Sequence, residues 1–147
     1  MPPPRVLFVC VENSCRSQMA EGFARSFSDD RARVHSAGSR PSGSIDPRAV
    51  RLMAEKGVDL AGQRSKGLAD LPEDVTWDYV VTMGCRDACP HLAAAHRLDW
   101  ALPDPKPLGD DGFRRVRDEI ERRVRSLLAA TFEVPGDSGR PRSGASD

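Results

Sequence analysis

Val6-Leu7-Phe8-Val9-Cys10-Val11-Glu12-Asn13-Ser14-Cys15-Arg16-Ser17 is the stretch from which the rest of the molecule can be built. Its first four residues are apolar and partly β-branched, the pattern of a short buried strand, which we place at Arg5 to Val9. From Ser17 to Ser28, Met19, Phe23 and Phe27 recur at helical spacing and predict a helix with those three side chains in the core. Between strand and helix stands C-x5-R-S, a thiol and a guanidinium around one small loop. A loop that feeds a helix N-terminus directs backbone N–H groups at a common point and suits an anion. The spacing therefore sets a nucleophile, Cys10, inside an oxyanion site. The backbone of Val11, Glu12, Asn13, Ser14, Cys15 and Arg16 supplies the donors, together with the Arg16 side chain.

The flanking sequence continues the alternation. Asp29-Asp30 ends the first helix, Arg33 to Ser36 reads as a second strand, and Ala37-Gly38 as a turn. Ser44 or Asp46 can cap a second helix with Pro47 in its first turn, a buried face of Val50, Met53 and Ala54, and a stop at Gly57. A short helix is expected near Ser65 to Leu71, followed by a turn at Pro72. Strand three is expected at Trp77 to Met83, and loop with a helical piece from Gly84 to Ala95. His96 to Trp100 reads as a weak fourth strand. Proline at positions 103, 105 and 107 makes that segment an irregular loop. Phe113 to Ala130 is the last helix, with Val116, Ile120, Val124 and Leu127 in phase.

Strands alternating with helices predict an α/β fold: one domain over residues 1–131, a four-stranded parallel sheet flanked by helices on both faces, and a disordered tail over 132–147. In such sheets ligands bind beyond the carboxyl ends of the strands, so Cys10, Gly84-Cys85 and the Asp104 loop can meet on one edge.

Composition narrows the function. The 147 residues suffice for one core, and 22 basic side chains balance 22 acidic ones. No net field draws in nucleic acid or a membrane surface, and the Arg-rich run from Arg114 to Arg125 alternates with acids as a solvated helix face does. No segment has the length of a transmembrane span, and Met1-Pro2-Pro3-Pro4-Arg5 carries no signal-peptide pattern, which together suggest a cytoplasmic protein. Four cysteines in a reducing compartment point to catalysis, redox chemistry or metal rather than structural disulfides. The x4 spacing of Cys10 and Cys15 and the x3 spacing of Cys85 and Cys89 are unlike matched zinc knuckles, so no metal or other cofactor is expected.

Three features favour a thiolate at Cys10: the positive end of the helix, the charge of Arg16, and a hydrogen bond from the Ser17 hydroxyl. Arg16 also offers a planar fork for a tetrahedral oxyanion. Asn13 suits a positive φ and can brace the loop through its amide.

Val6 to Cys10, followed by Asn13-Ser14-Cys15-Arg16-Ser17-Gln18-Met19-Ala20-Glu21-Gly22, resembles the low-molecular-weight tyrosine phosphatase superfamily. More closely it resembles the thioredoxin-coupled arsenate reductase branch. The likeness continues through His35-Ser36-Ala37-Gly38, Val80-Val81-Thr82-Met83, Cys89-Pro90 and Asp104-Pro105, over about residues 5 to 130. It implies a low-molecular-weight phosphatase-like fold, arsenate as substrate with phosphate or sulfate as analogues, and Asp104 as the acid for the leaving oxygen. It also implies a relay in which Cys10 attacks arsenate, Cys85 attacks the Cys10 sulfur and expels arsenite, and Cys89 resolves the disulfide. On a helical turn Cys85 and Cys89 would share a face about 6 Å apart, within disulfide reach. Thioredoxin is the reductant the branch implies, with a small thiol such as mycothiol as the alternative. Cys15 is expected to be a neutral loop residue.

The chain also departs from the family pattern. Cys85 lies closer to Cys89 than in thioredoxin-coupled relatives. Glu12 stands where glycine is common, and its carboxylate would repel an arsenate dianion unless turned away. Some relatives bind potassium through residues matching Asn13, Glu21 and Ser36, with a carboxylate as fourth ligand. That position falls on Ser65 here, so the set either holds potassium or only braces the loop. Lys106-Pro107 stands where phosphatases carry aromatics, which favours a free oxyanion over a phosphotyrosine ring. The alternatives to a reductase are a phosphatase acting on phosphate monoesters and a non-catalytic oxyanion or redox sensor.

Overall fold

The computed structural model describes residues 3–84 and 92–132. In chain order the elements are β1 (Arg5–Cys10), α1 (Arg16–Ser28), β2 (Arg33–Gly38), α2 (Pro47–Ala54), a turn of 3-10 helix (Leu68–Asp70), β3 (Trp77–Thr82), β4 (Ala94–Asp99) and α3 (Asp110–Phe132). The strands form one parallel sheet in the order β2-β1-β3-β4. The chain thus leaves β1 toward β2 on one side and returns to β3 on the other. This reversal opens a crevice at the carboxyl end of β1, where Cys10 stands.

β1 is buried on both faces because it lies inside a parallel sheet. Val6, Phe8 and Cys10 face a core built with Met19 and Phe23 of α1, Leu52 and Met53 of α2, and Phe113, Ile120 and Val124 of α3. Leu7 and Val9 face the opposite way, against Ala37, Trp77 and Val80. Among the described residues that second face is covered by Leu68, Leu71 and Val75, at a single 3-10 turn where a helix from Ser65 was expected. β4 is an exposed edge strand, which explains why its pattern reads weakly.

Local signals account for most element ends. Asp29 closes α1 in the left-handed conformation. Of the two candidate caps for α2, Asp46 serves: its carboxylate accepts from Arg48 N at 2.8 Å, ahead of Pro47 in the first turn. Gly57 adopts φ +75° as its position demanded. α3 starts three residues earlier than the apolar pattern indicated, because Asp110 and Asp111 favour its positive end.

Three expectations are corrected. Ala37-Gly38 is not a turn but the end of β2, paired with Val9 and Cys10. The buried face of α2 is Ala49, Leu52 and Met53, with Ala54 exposed; the helix is turned so that Met53 packs over Gly22 of α1. The Arg-rich face of α3 is mostly solvated, but Arg117 is buried, donating to Leu52 O at 2.8 Å and pairing with Glu55 at 2.7 Å. Of the tail expected over 132–147, Phe132 instead belongs to α3, and residues 133–147 lie outside the described residues.

Candidate active site

The loop after β1 turns its carbonyl groups outward. Cys10 O accepts from Ser39 N, Val11 O from Arg40 N, Glu12 O from Ser42 N and Ser14 O from Asp46 N, at 2.8–3.2 Å. Asn13 O accepts from Gln18 Nε2 at 3.1 Å. In a trans peptide the following N–H points opposite to the carbonyl, so the donors of residues 11–15 turn inward. Gly38 lets β2 come this close: a Cβ there would lie 2.6 Å from Val11 O and 2.9 Å from Asn13 N.

The cavity inside this ring has a volume of about 150 Å³ and is lined by Cys10, Val11, Glu12, Ser14, Cys15, Arg16, Asp104 and Lys106. The fold therefore brings Asp104 to Cys10 and Arg16 across some ninety positions of sequence, as the sheet topology required. None of the lining residues is aromatic. The space suits a small tetrahedral anion, and a phosphotyrosine ring would find no aromatic wall among the described residues.

Cys10 is buried, and its Sγ lies 2.8 Å from Ser17 Oγ. Asn13 Nδ2 donates to that same hydroxyl at 2.7 Å, so the Ser17 proton is directed to the sulfur. This is the donor a thiolate needs. Arg16 is buried and donates through Nη1 to Leu102 O at 3.0 Å, which fixes its guanidinium under the ring. Gly84, at φ +86°, allows this placement: a Cβ there would meet Arg16 Nη1 at 2.5 Å. Asp104 is exposed on the loop, and its carboxylate accepts from Lys106 N at 3.1 Å.

Cys15 behaves as the sequence suggested. Burial pushes its thiol up to about 12, with the Asp46 carboxylate a smaller contributor, so it remains neutral at physiological pH. Its Sγ donates to Asp46 Oδ2 at 3.6 Å. Cys85 and Cys89 lie outside the described residues. The last residue described before them, Gly84, packs on Arg16.

The carboxylate of Glu12 forms an ion pair with the ammonium of Lys106 at the mouth of the cavity. This bond holds Lys106 above its usual range and neutralises the charge expected to repel an arsenate dianion. In the sequence Lys106 stands out only by replacing an aromatic. Arg48, unmarked in the sequence, ties the acid loop to α2 by donating to Lys106 O and Leu108 O, each at 2.6 Å.

The proposed potassium ligands do not fit an ion. Ser65 donates to Glu12 O at 3.1 Å and accepts from Gly43 N at 3.2 Å, bracing the loop from outside. Asn13 Oδ1 is occupied by Gln18 Nε2 at 2.8 Å and Lys66 N at 2.7 Å. The Lys66 ammonium stands against Ser36 and Glu21. Asn13, at φ +53°, and its partners Ser36 and Glu21 brace the loop.

Comparisons with known proteins agree with this geometry. The family model for low molecular weight phosphotyrosine protein phosphatase matches residues 5–134. A glutaredoxin arsenate reductase of Synechocystis sp. is 38% identical over 128 residues, covering 85% of this chain and 96% of that protein. A solved arsenate reductase in the phosphate binding state superposes with a TM-score of 0.76 at 34% identity, over 86% of this chain and 98% of the other. A thioredoxin-dependent arsenate reductase of Corynebacterium glutamicum gives 0.73 at 37% identity, over 88% of this chain and 62% of the other. With Cys10, Arg16 and Asp104 gathered at the end of β1, this chain belongs to the low molecular weight phosphotyrosine protein phosphatase family.

Proposed function

We propose that this protein reduces arsenate to arsenite through a thiol–disulfide relay. The observation that carries the reading is the small cavity without aromatic walls among the described residues, holding Cys10, Arg16 and Asp104, with Gly84 packed on Arg16. The names of the relatives point to the same reaction.

The thiolate of Cys10, held by Ser17, attacks arsenic, and an As–S bond replaces an As–O bond. Asp104 gives its proton to the departing oxygen, which leaves as water. The inward N–H groups of 11–15 and the Arg16 fork carry the charge of the remaining oxygens. Cys85 then attacks Cys10 Sγ. A Cys10–Cys85 disulfide forms, the As–S electron pair passes to arsenic, and arsenite departs. Cys89 attacks Cys85, frees Cys10 as a thiol and leaves a Cys85–Cys89 disulfide. An external thiol reductant reduces this disulfide to the two thiols and is itself oxidised to a disulfide. Thioredoxin is our first choice and glutaredoxin the second, since relatives carry both names. A small thiol such as mycothiol is the third. The free, buried thiols of Cys10 and Cys15 suit a reducing compartment, which we take to be the cytoplasm. Among the described residues no helix is long and apolar enough to cross a membrane.

The phosphatase reading keeps one specific support: nucleophile, arginine and acid also suffice to hydrolyse a phosphate monoester through a phosphocysteine. Arsenate turnover measured separately with thioredoxin, glutaredoxin and small thiols, beside hydrolysis of an aryl phosphate, distinguishes the two. Cys10→Ser should abolish both activities. Cys89→Ser should abolish reductant-coupled arsenate turnover and spare hydrolysis. Undiminished arsenate turnover in Cys89→Ser would exclude the relay. Arsenate binding without arsenite production under every thiol supply would reduce the protein to a sensor.

A further inference from the structure

Beneath the anion loop lies a buried ionic cluster that the chemistry of Cys10 leaves unused. Glu21, on α1, is 1% exposed. Its Oε2 accepts from Arg25 Nε at 2.9 Å. Its Oε1 accepts from the Ser36 hydroxyl and from Lys66 Nζ, the latter at 3.5 Å. Lys66 Nζ also lies 3.3 Å from Ser36 Oγ and 3.3 Å from Arg64 O, so its ammonium sits among three oxygens from three segments. Its side chain is 17% exposed.

This cluster reaches the active loop through Asn13. Ser36 Oγ accepts from Asn13 Nδ2 at 3.0 Å, while the backbone N–H of Lys66 donates to Asn13 Oδ1 at 2.7 Å. The same Asn13 amide holds Ser17 Oγ, and Ser17 holds Cys10 Sγ. A buried carboxylate must be matched by positive charge. An ammonium group has the charge of a potassium ion and a similar size, and here it is covalently tethered.

We infer that the Lys66 ammonium is the resident monovalent cation of the anion loop, so that loop geometry and anion binding are independent of potassium. Lys66 is then a positioning residue, acting on Cys10 through Ser36, Asn13 and Ser17. Truncating it to alanine opens a cation-sized space lined by Glu21 Oε1, Ser36 Oγ and Arg64 O. The proposal rests on the loop being an oxyanion site and not on the reductive steps, so its test uses binding and melting rather than turnover.

Affinity for inorganic phosphate and Tm are measured at equal ionic strength in potassium chloride and in choline chloride. The native chain should give the same values in both. Lys66→Ala in choline should bind phosphate about tenfold more weakly, as expected for a displaced binding loop, and melt lower. Potassium should restore both properties. Lys66→Met should be impaired in both salts, because its stem fills the space that the ion would take. If Lys66→Ala is insoluble in choline, Lys66→Ser, which leaves the same space open, is measured in its place with the same expectation of rescue. A native chain that responds specifically to potassium overturns the inference. So does Lys66→Ala unchanged in choline, or impaired and not rescued. If the native chain fails to bind phosphate, the oxyanion reading itself fails, while the Tm comparison still reports on the cation.

Discussion

Asn13 and Glu12 are neighbours in the chain and opposites in setting. Asn13 is fully buried, and its amide donates to Ser17 and Ser36 and accepts from Gln18 and Lys66. Glu12 stands at the mouth with its carboxylate about half exposed and, among the described residues, one partner, Lys106. Leaving a buried polar group unpaired costs about 1–3 kcal/mol, whereas an exposed ion pair contributes about 0–1 kcal/mol. The floor of the site therefore holds the shape of the ring, and the rim can change charge and reach with little effect on the fold.

The sharpest way to break this division is at Asp104, on the rim. Asp104→Asn should slow the single-turnover step at Cys10 by about 10²–10⁴-fold while leaving Tm unchanged. An unaltered rate would remove Asp104 as the acid. Next in size is the floor. Asn13→Ala should lower unfolding free energy by about 1–3 kcal/mol, since it strands the Lys66 N–H and removes one partner each from Ser17, Ser36 and Gln18. Urea denaturation that shows less than the loss from Lys106→Ala would reverse the comparison.

A third expectation concerns pH. The Cys15 thiol titrates near 12 when folded, above its ordinary value of 9.0, chiefly through burial. Above pH 9 the unfolded chain holds fewer protons at this site, so its contribution to stability is full below that pH and declines toward pH 12. Over the same range Cys15 should resist alkylation until the chain unfolds; fast labelling of folded protein at pH 9 would contradict its burial. The smallest effect belongs to the ion pair at the mouth. Lys106→Ala should change stability by less than about 1 kcal/mol, yet raise the KM for arsenate as Glu12 is left uncompensated. Glu12→Gly in the same background should return the KM toward its native value.

What the sequence revealed follows the range over which each signal acts. β1, the anion loop and α1 are contiguous, so their period and spacing declare them, and Cys10, Arg16 and Ser17 are found where that pattern placed them. Asp104 is marked out by the family resemblance, and the rule that strand ends share an edge shows only that its loop can reach Cys10. The ion pairs of Lys66 and Lys106 are not legible in the sequence because their partners are remote: Glu21 lies 45 positions from Lys66, and Glu12 lies 94 from Lys106. Gly38 looked like a turn because glycine's usual local role is freedom of φ, whereas here it serves close approach to Val11. Only the folded sheet reveals that contact.

Arg48 carries one more consequence. It grips the acid loop at two carbonyls from the first turn of α2, the helix whose cap, Asp46, holds Ser14 of the anion ring. Ring and acid are thus fastened to the same strut and form one mechanical part. A chain that drifts toward a larger anion cannot widen the ring alone: the strut would carry the acid with it, and the two ends of the reaction coordinate would have to be retuned together.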